Sequence, residues 1–205
     1  MATGWLGGVL AHGAEPLYQN NFEKTEIDKV PEDFLIIDGG FAVKQVEGNK
    51  VLELPGAPLQ EGSGLIFGPT EKEGLAVSAR VLSTSKGRRM PAFSIGLNGV
   101  GGYKLQVSAA KKTIELYKND EVKASAPFEW QSGTWTALKL QMRKGKDGVW
   151  KLEGKVWAQS GKEPTGWMIS YDEKEEPTAG RPSLWGMPYA GTAIQFDDLL
   201  VEPAK

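Results

Sequence analysis

Two carboxylates at alternate positions of one strand can serve as nucleophile and general acid in glycoside hydrolysis, because both side chains project from the same face. Glu26 and Asp28 have this spacing, and Glu32 adds a third carboxylate. Pro31 lies within the same segment and has no backbone N–H to donate to a central strand. We therefore interpret residues 26–32 as a solvated loop and predict no catalytic residue there.

Histidine and cysteine chemistry is almost absent from the chain. His12 is the only histidine, and there is no cysteine. Because His12 lies in a segment that we interpret as a leader, a histidine-based triad, general base or metal site is excluded from the rest of the chain. The lack of cysteine excludes disulfides, thiolate metal sites and a cysteine nucleophile.

The aromatic and polar side chains of the strands are of the types that bind sugars. Sugar rings stack on exposed aromatic rings, and sugar hydroxyls bond to amide, guanidinium and carboxylate groups. Such residues alternate with apolar ones on the strands described below, so we expect them to face outward on one concave sheet face. The predicted ligand-binding residues are Arg80, Asn98, Gln106, Glu115, Tyr117, Trp157 and Trp185. The alternative is that some of these tryptophans cap the sandwich edge or cover the core.

Two charged runs are predicted to be solvated. Residues 86–89 form a basic turn that could instead clamp an anionic sugar or phosphate. Residues 172–176 form an acidic loop, for which cation binding is the alternative. Across the 205 residues, 24 basic and 26 acidic side chains give a net charge of −2, so no electrostatic footprint for nucleic acid is present.

The first fourteen residues are apolar and rich in small side chains, which is typical of a short or truncated signal peptide. The segment lacks the usual basic beginning, so an unstructured leader is the alternative. It is too short to span a membrane as a helix. We therefore predict a secreted or periplasmic protein without an integral membrane segment.

Apolar residues alternate with polar ones over nearly the whole remaining length, and 26 glycines and 12 prolines punctuate the pattern. This spacing predicts about a dozen short antiparallel strands, and no window has the apolar spacing of a long helix. A single helical turn is expected near residues 127–132. We predict one all-β domain over residues 15–205, a two-sheet antiparallel β-sandwich.

The order of features in the second half resembles the concanavalin A-like lectin/glucanase jelly roll. The motifs are Gly133-Thr134-Trp135, a hairpin ending at Trp157, the segment 180–186, and the closing strand Ile194-Gln195-Phe196-Asp197-Asp198. Within that superfamily the chain is most similar to laminin-G-like domains and to secreted bacterial domains described as 3-keto-disaccharide hydrolase-like. The resemblance implies the jelly-roll fold and an exported, carbohydrate-associated domain. It carries over no catalytic residue.

The same resemblance implies one structural Ca²⁺ ion, because many domains of this superfamily hold calcium with oxygens from the last strand, the first strand and a turn. The positions that match are Asp197, Asp198, Glu23, Asn21 and Gly48. The alternative is that Asp197 and Asp198 mark a bulge and satisfy backbone N–H groups. No cofactor is expected to be required.

Three functions remain open from the sequence. The first is an oligo- or polysaccharide-binding domain without catalytic turnover. The second is a glycoside-processing hydrolase of the 3-keto-disaccharide type, with Glu115 as the carboxylate to mutate first. The third is a cell-surface module that binds another protein through a sheet face.

Overall fold

The computed structural model of the protein describes residues 15–57, 62–72 and 74–204. The segment predicted to be a leader, residues 1–14, lies outside the described residues. The described chain forms fifteen strands and one short 3₁₀ turn. The strands are β1 (Tyr18–Asn20), β2 (Leu35–Asp38), β3 (Ala42–Val46), β4 (Asn49–Leu54), β5 (Ser63–Ile66), β6 (Leu75–Ser83), β7 (Ala92–Leu97), β8 (Tyr103–Ser108), β9 (Thr113–Lys118), β10 (Glu121–Pro127), β11 (Thr136–Lys144), β12 (Trp150–Ala158), β13 (Ile169–Glu173), β14 (Ser183–Met187) and β15 (Ile194–Pro203).

The strands form two antiparallel sheets. Sheet A has the order β13-β12-β11-β6-β15-β4-β3, with β1 also paired to β15. Sheet B has the order β10-β9-β8-β7-β14-β5-β2. The predicted two-sheet antiparallel β-sandwich is confirmed.

One apolar core joins the two sheets, because the inward positions of each strand carry large apolar side chains. The apolar residues that alternate with polar ones on β6, β7, β8, β9 and β12 include eleven that are fully or almost fully buried in it. They are Val77, Val81, Phe93, Ile95, Leu97, Leu105, Val107, Ile114, Leu116, Leu152 and Val156. This alternation places every second residue of a strand on the outer face of its sheet, where the candidate sites lie.

Tight turns set the register of the hairpins. Asn119 and Asp120 both have positive φ, as do Glu47 and Gly48. Two successive residues of positive φ form the turn that matches the twist of antiparallel strands. The two turns join β9 to β10 and β3 to β4.

Two local predictions are wrong. Residues 127–132 contain no helical turn, and the 3₁₀ turn lies instead at Ala109–Lys111. Within the acidic run 172–176, Glu173 ends β13 and is buried, because it bonds to the Tyr103 hydroxyl and to Lys118 Nζ. The basic run at 86–89 is an exposed turn closed by a bridge between Lys86 and Arg89, as expected.

The core makes a direct stability prediction at Phe196. This side chain is fully buried on β15 and contacts the Phe41 ring, with centroids 6.3 Å apart. Phe196→Ala leaves a cavity between the sheets, so we expect the free energy of unfolding to fall by about 3–5 kcal/mol. Urea denaturation measures the change. Ile37→Ala, at an exposed position of β2, is the control and should change the unfolding free energy by less than about 1 kcal/mol. Equal losses in the two variants would contradict the assignment of the core.

Candidate functional site

The seven residues predicted to bind a ligand do not share one face. Gln106, Glu115, Tyr117 and Trp185 lie on the outer face of sheet B, and Arg80 and Trp157 lie on the outer face of sheet A. Asn98 follows β7 at one end of the sandwich. The single shared face expected from the sequence is therefore corrected, because strands with the same alternation belong to different sheets.

On sheet B, four outward side chains stand in one row across neighbouring strands. The register pairs Trp185 of β14 with Ser94 of β7, Ser94 with Gln106 of β8, and Gln106 with Glu115 of β9. Neighbouring strands lie about 4.8 Å apart, so the row spans about 14 Å. This length matches a short oligosaccharide segment and runs across the strands.

Small residues form the floor beside this row. Gly64 pairs with Trp185, and a Cβ atom at Gly64 would come within 2.3 Å of the indole ring. Gly96 faces Ser183, and a Cβ atom there would come within 2.3 Å of the Ser183 hydroxyl. The glycines therefore let the Trp185 ring lie against the sheet. They also add no side chain to the middle of this face.

Glu115 is the charged centre of the row and is only 5% exposed. Its carboxylate accepts hydrogen bonds from the Ser108 hydroxyl at 2.5 Å, the Tyr117 hydroxyl at 2.8 Å and Lys111 Nζ at 3.0 Å. Burial alone would raise the pKa of the Glu115 carboxyl, but these donors outweigh it and hold the pKa below its ordinary value. Glu115 is therefore an ionised acceptor at neutral pH.

Burial, followed by the hydrogen bond to Glu115, raises the pKa of the Tyr117 hydroxyl above its ordinary value. Tyr117 therefore remains a donor. The Gln106 amide nitrogen donates to the Ser108 hydroxyl at 2.8 Å and contacts the Tyr117 hydroxyl at 3.4 Å. These contacts hold the polar groups of the row in fixed positions before any ligand arrives.

Ser94 is the unsatisfied member of the row. Its side chain is fully buried between Trp185 and Gln106 in the register, and its hydroxyl has no hydrogen-bond partner among the described residues. The Thr113 hydroxyl, on the outer side of β9, is also without a partner there. A buried polar group without a partner costs about 1–3 kcal/mol, a cost that a ligand hydroxyl or water can remove.

Trp185 is partly exposed, and its indole group has two polar contacts. Its indole nitrogen donates to the Ser183 hydroxyl at 3.0 Å, and Lys104 Nζ lies 4.2 Å from the ring centroid. Lys104 Nζ also contacts the carboxylate of the exposed Asp120 at 2.9 Å. A long, flexible side chain therefore covers the ring and can move aside for a ligand.

Asn98 is part of a separate cleft of about 430 Å³ at the end of the sandwich. Its amide nitrogen donates to the backbone carbonyls of Lys72 and Thr178 at 3.0 and 2.7 Å. These bonds tie two loops together, so the described contacts of Asn98 are structural. A ligand-binding role for Asn98 stays a prediction.

The residues predicted to hold calcium do not fit that ion in the described arrangement. Asp197 is fully buried, and its carboxylate accepts from Arg80 at 2.5 Å, Asn49 at 2.7 Å and the backbone N–H of Asp198 at 2.7 Å. Arg80 Nε also lies 2.8 Å from the Asp198 carboxylate. One guanidinium group therefore already contacts both carboxylates from which calcium would be bound.

Two of the other predicted calcium ligands already accept hydrogen bonds from the backbone. Glu23 accepts from the backbone N–H of Lys50, and Asn21 accepts from the backbone N–H of Glu23. Gly48 belongs to the turn between β3 and β4. Among the described residues, no group of three or more acidic or histidine side chains is placed to hold a metal. The bulge at Asp197 and Asp198, with its bond to the backbone, matches the alternative given by the sequence.

Several polar residues of the sheet B face are not among the residues predicted from the sequence to bind a ligand. Ser94, Ser108, Lys104 and Lys111 contribute hydroxyl and ammonium groups beside the predicted ones. The alternation on β7 and β8 already places Ser94, Lys104 and Ser108 outward, so a strand-parity argument could have found them. Lys111 lies in the 3₁₀ turn, for which the sequence carries no comparable pattern.

No helix of the described chain is long and apolar enough to cross a membrane. No protein-family model matches the sequence, and no curated protein matches it.

Solved structures with the same fold include carbohydrate-binding proteins and an enzyme. The carbohydrate-binding module CBM66 from Bacillus subtilis is 13% identical, with a TM-score of 0.57 over 83% of this chain and 95% of the module. The Emp47p carbohydrate recognition domain is 12% identical, with a TM-score of 0.62 over 97% of this chain and all of that domain. A xylan β-1,4-xylosidase from Bacillus halodurans is 13% identical, with a TM-score of 0.58 over 93% of this chain and 40% of the enzyme. Likeness at this level of identity establishes the fold.

Because Arg80 already pairs with Asp197 and Asp198, we expect that removing calcium does not change the stability of the protein. We expect the melting temperature to be the same in EDTA and in millimolar Ca²⁺, as measured by differential scanning calorimetry. A higher melting temperature in Ca²⁺ that EDTA reverses would show that a calcium site forms despite the ion pair.

Removing the guanidinium should instead destabilise the protein. Arg80→Met leaves the buried Asp197 carboxylate without its charged partner, so we expect a loss of about 3–5 kcal/mol in the free energy of unfolding. Lys139→Met is the matched control, because Lys139 pairs with Glu202 on the same sheet at a half-buried position. The control should lose about 1 kcal/mol or less. A similar small loss for Arg80→Met in urea denaturation would contradict this role.

Proposed function

We propose that the protein is an exported carbohydrate-binding domain and that the outer face of sheet B binds a neutral oligo- or polysaccharide. The observation that carries the proposal is the row formed by Trp185, Ser94, Gln106 and Glu115. It combines an aromatic ring, an amide, an ionised acceptor and an unsatisfied hydroxyl within about 14 Å.

Each group in the row has a distinct task. Trp185 offers a ring for the C–H face of one sugar unit once Lys104 moves aside. Glu115 accepts from a sugar hydroxyl, and the amide of Gln106 bonds to the next unit. The Ser94 hydroxyl is fully buried and needs a side-chain movement to gain a partner from the ligand. The low floor at Gly96 lets the chain approach the sheet.

Carbohydrate binding without turnover fits the row better than hydrolysis. Hydrolysis of a glycosidic bond uses two carboxyl groups, about 5 Å apart for retention and roughly 6.5–9.5 Å apart for inversion. Glu115 is the only carboxylate among the four row positions, and its pKa is held low, whereas a general acid needs a raised one. The structural neighbours whose names mention carbohydrate binding support the ligand class.

Trp185→Ala tests the proposed function. Loss of the stacking ring should weaken binding of the best neutral glycan by at least about tenfold, because aromatic residues dominate such binding surfaces. The ligand is first identified on a glycan array and the affinity is then measured by isothermal titration calorimetry. Gln106→Ala is the second variant and should weaken binding severalfold.

The control for both variants is Leu35→Ala, at an exposed edge position of the same sheet. It should keep full affinity, and circular dichroism should show native folding in all three variants. No glycan signal for the unmodified protein, or unchanged affinity in folded Trp185→Ala and Gln106→Ala, would contradict the proposal. Release of reducing sugar by the unmodified protein but not by Glu115→Gln would favour the hydrolase alternative instead.

A further inference from the structure

The outer face of sheet A carries a second group of aromatic side chains. Trp157 faces outward on β12 and pairs in register with Ala137 of β11. Trp135 immediately precedes β11, and its backbone carbonyl accepts from the N–H of Gln159. Trp167 immediately precedes Met168, which bonds to the neighbouring strand β12. All three rings are partly exposed, so three tryptophans lie across the ends of β11, β12 and β13.

Cationic side chains hold two of these rings. The Arg80 guanidinium lies 4.6 Å from the Trp135 ring centroid, and Lys155 Nζ lies 4.8 Å from that of Trp167. Trp157 stands between them and has no ring or cation contact among the described residues. The small neighbour Ala137 leaves space beside it. Trp157 is therefore the ring available for stacking, and the two cation-held tryptophans flank it.

The cations on this face already have acidic partners. Arg80 pairs with Asp197 and Asp198, and Lys155 pairs with Glu163 at 2.7 Å. Lys139 pairs with Glu202 at 2.5 Å and Arg143 with Glu153 at 3.1 Å on the same face. Because each of these four cations is paired, none of them is free to bind an anionic ligand. The face suits an uncharged ligand that contacts rings and hydrogen-bonding groups.

A polar cleft adjoins the aromatic group at Arg80. The cleft has a volume of about 650 Å³, and its walls include Gln19, Asn21, Thr25 and Asp198. Asp198 contacts Arg80, which in turn contacts Trp135 and lies 3.4 Å from the Gln159 side-chain oxygen. The cleft, which Lys24 also lines, is therefore connected to the tryptophans through the contact between Asp198 and Arg80. This combination matches a polyhydroxylated chain with alternating apolar and hydroxylated edges.

We propose that the outer face of sheet A is a second binding site for a neutral saccharide, centred on Trp157, and that the domain is bivalent. The ligand class rests on the function proposed above, but the site is independent of the sheet B row. Packed sheets lie about 10 Å apart, and the two outer faces point in opposite directions. One domain can therefore hold two separate polysaccharide chains and link them, which raises the apparent affinity for a surface of many chains.

The test counts binding sites with calorimetry. The probes are neutral β-linked hexasaccharides of glucose, xylose and mannose, titrated into the whole protein. We expect two ligands per chain for the unmodified protein, one for Trp157→Ala, one for Trp185→Ala and none for the double variant. Tyr189→Ala removes an exposed aromatic residue from the loop after β14 and should keep both sites. Gln159→Ala, which retains every ring, should weaken only the sheet A site by severalfold.

The outcomes separate the two proposals. One ligand per chain that persists in Trp157→Ala and disappears in Trp185→Ala overturns the second site and leaves the proposed function intact. One ligand that disappears in Trp157→Ala and persists in Trp185→Ala overturns bivalency and moves the function to sheet A. Absence of binding to all three probes by the unmodified protein overturns the second site as stated. If Trp157→Ala loses its native circular dichroism spectrum, the Gln159→Ala variant tests the sheet A site instead. A two-site titration curve that is unchanged in Gln159→Ala overturns the sheet A site.

A second readout tests bivalency itself. A soluble polysaccharide of the same sugar should become turbid with the unmodified protein, because each domain links two chains. Trp157→Ala and Trp185→Ala should each abolish the turbidity while keeping one binding site. Turbidity that survives in either single variant would contradict cross-linking through opposite faces.

Discussion

The pairing of the last strand with strands from the first half of the chain is the constraint on which the rest of the structure depends. β15 pairs with β1, β4 and β6, so residues more than a hundred positions apart meet in the middle of sheet A. At the bulge in β15, the buried Asp197 carboxylate bonds to Arg80 of β6 and Asn49 of β4. This contact aligns three strands around one charge. It also sets Arg80 beside Trp135, on the face that we propose as the second site.

The polar and charged side chains on the two outer faces are paired in different ways. On sheet B, the Glu115 carboxylate accepts hydrogen bonds from Ser108, Tyr117 and Lys111. These bonds offset the desolvation cost of burying the carboxylate. Ser94 is left without a partner in the same row. On sheet A, the cations pair with nearby carboxylates, Arg80 with two of them, and the Trp157 ring has no cation contact among the described residues. A preorganised polar row and a neutral aromatic surface are both suited to sugars, but through different dominant contacts.

The sequence predicts what depends on neighbouring residues and misses what depends on distant ones. Strand parity places Ile95 and Leu105 in the core and Gln106 and Glu115 outside, because successive side chains of a strand point to opposite faces. Parity does not say which sheet a strand joins. Trp157 and Trp185 therefore look equivalent in the sequence, although they lie on opposite faces of the sandwich.

The features of the site that the sequence leaves open or misreads have the same origin. The paired aspartates of the closing strand are compatible with calcium or with a bulge, and the choice depends on Arg80, which is 117 positions away in the chain. Glu173 reads as part of a solvated acidic run, but its partner Lys118 comes from the opposite sheet. Such contacts join residues that are far apart in the chain, so the pattern of neighbouring residues in the sequence does not predict them.

NMR mapping of the bound ligand can test whether the outer face of sheet B binds a saccharide. In a titration with the neutral hexasaccharide that binds best, we expect amide shifts to concentrate on β14, β7, β8 and β9. They should include Ser94, Gln106 and Glu115, together with the indole N–H of Trp185. Shifts confined to the turns at the ends of the sandwich, or no shifts on these four strands at a saturating ligand concentration, would contradict saccharide binding by the sheet B row.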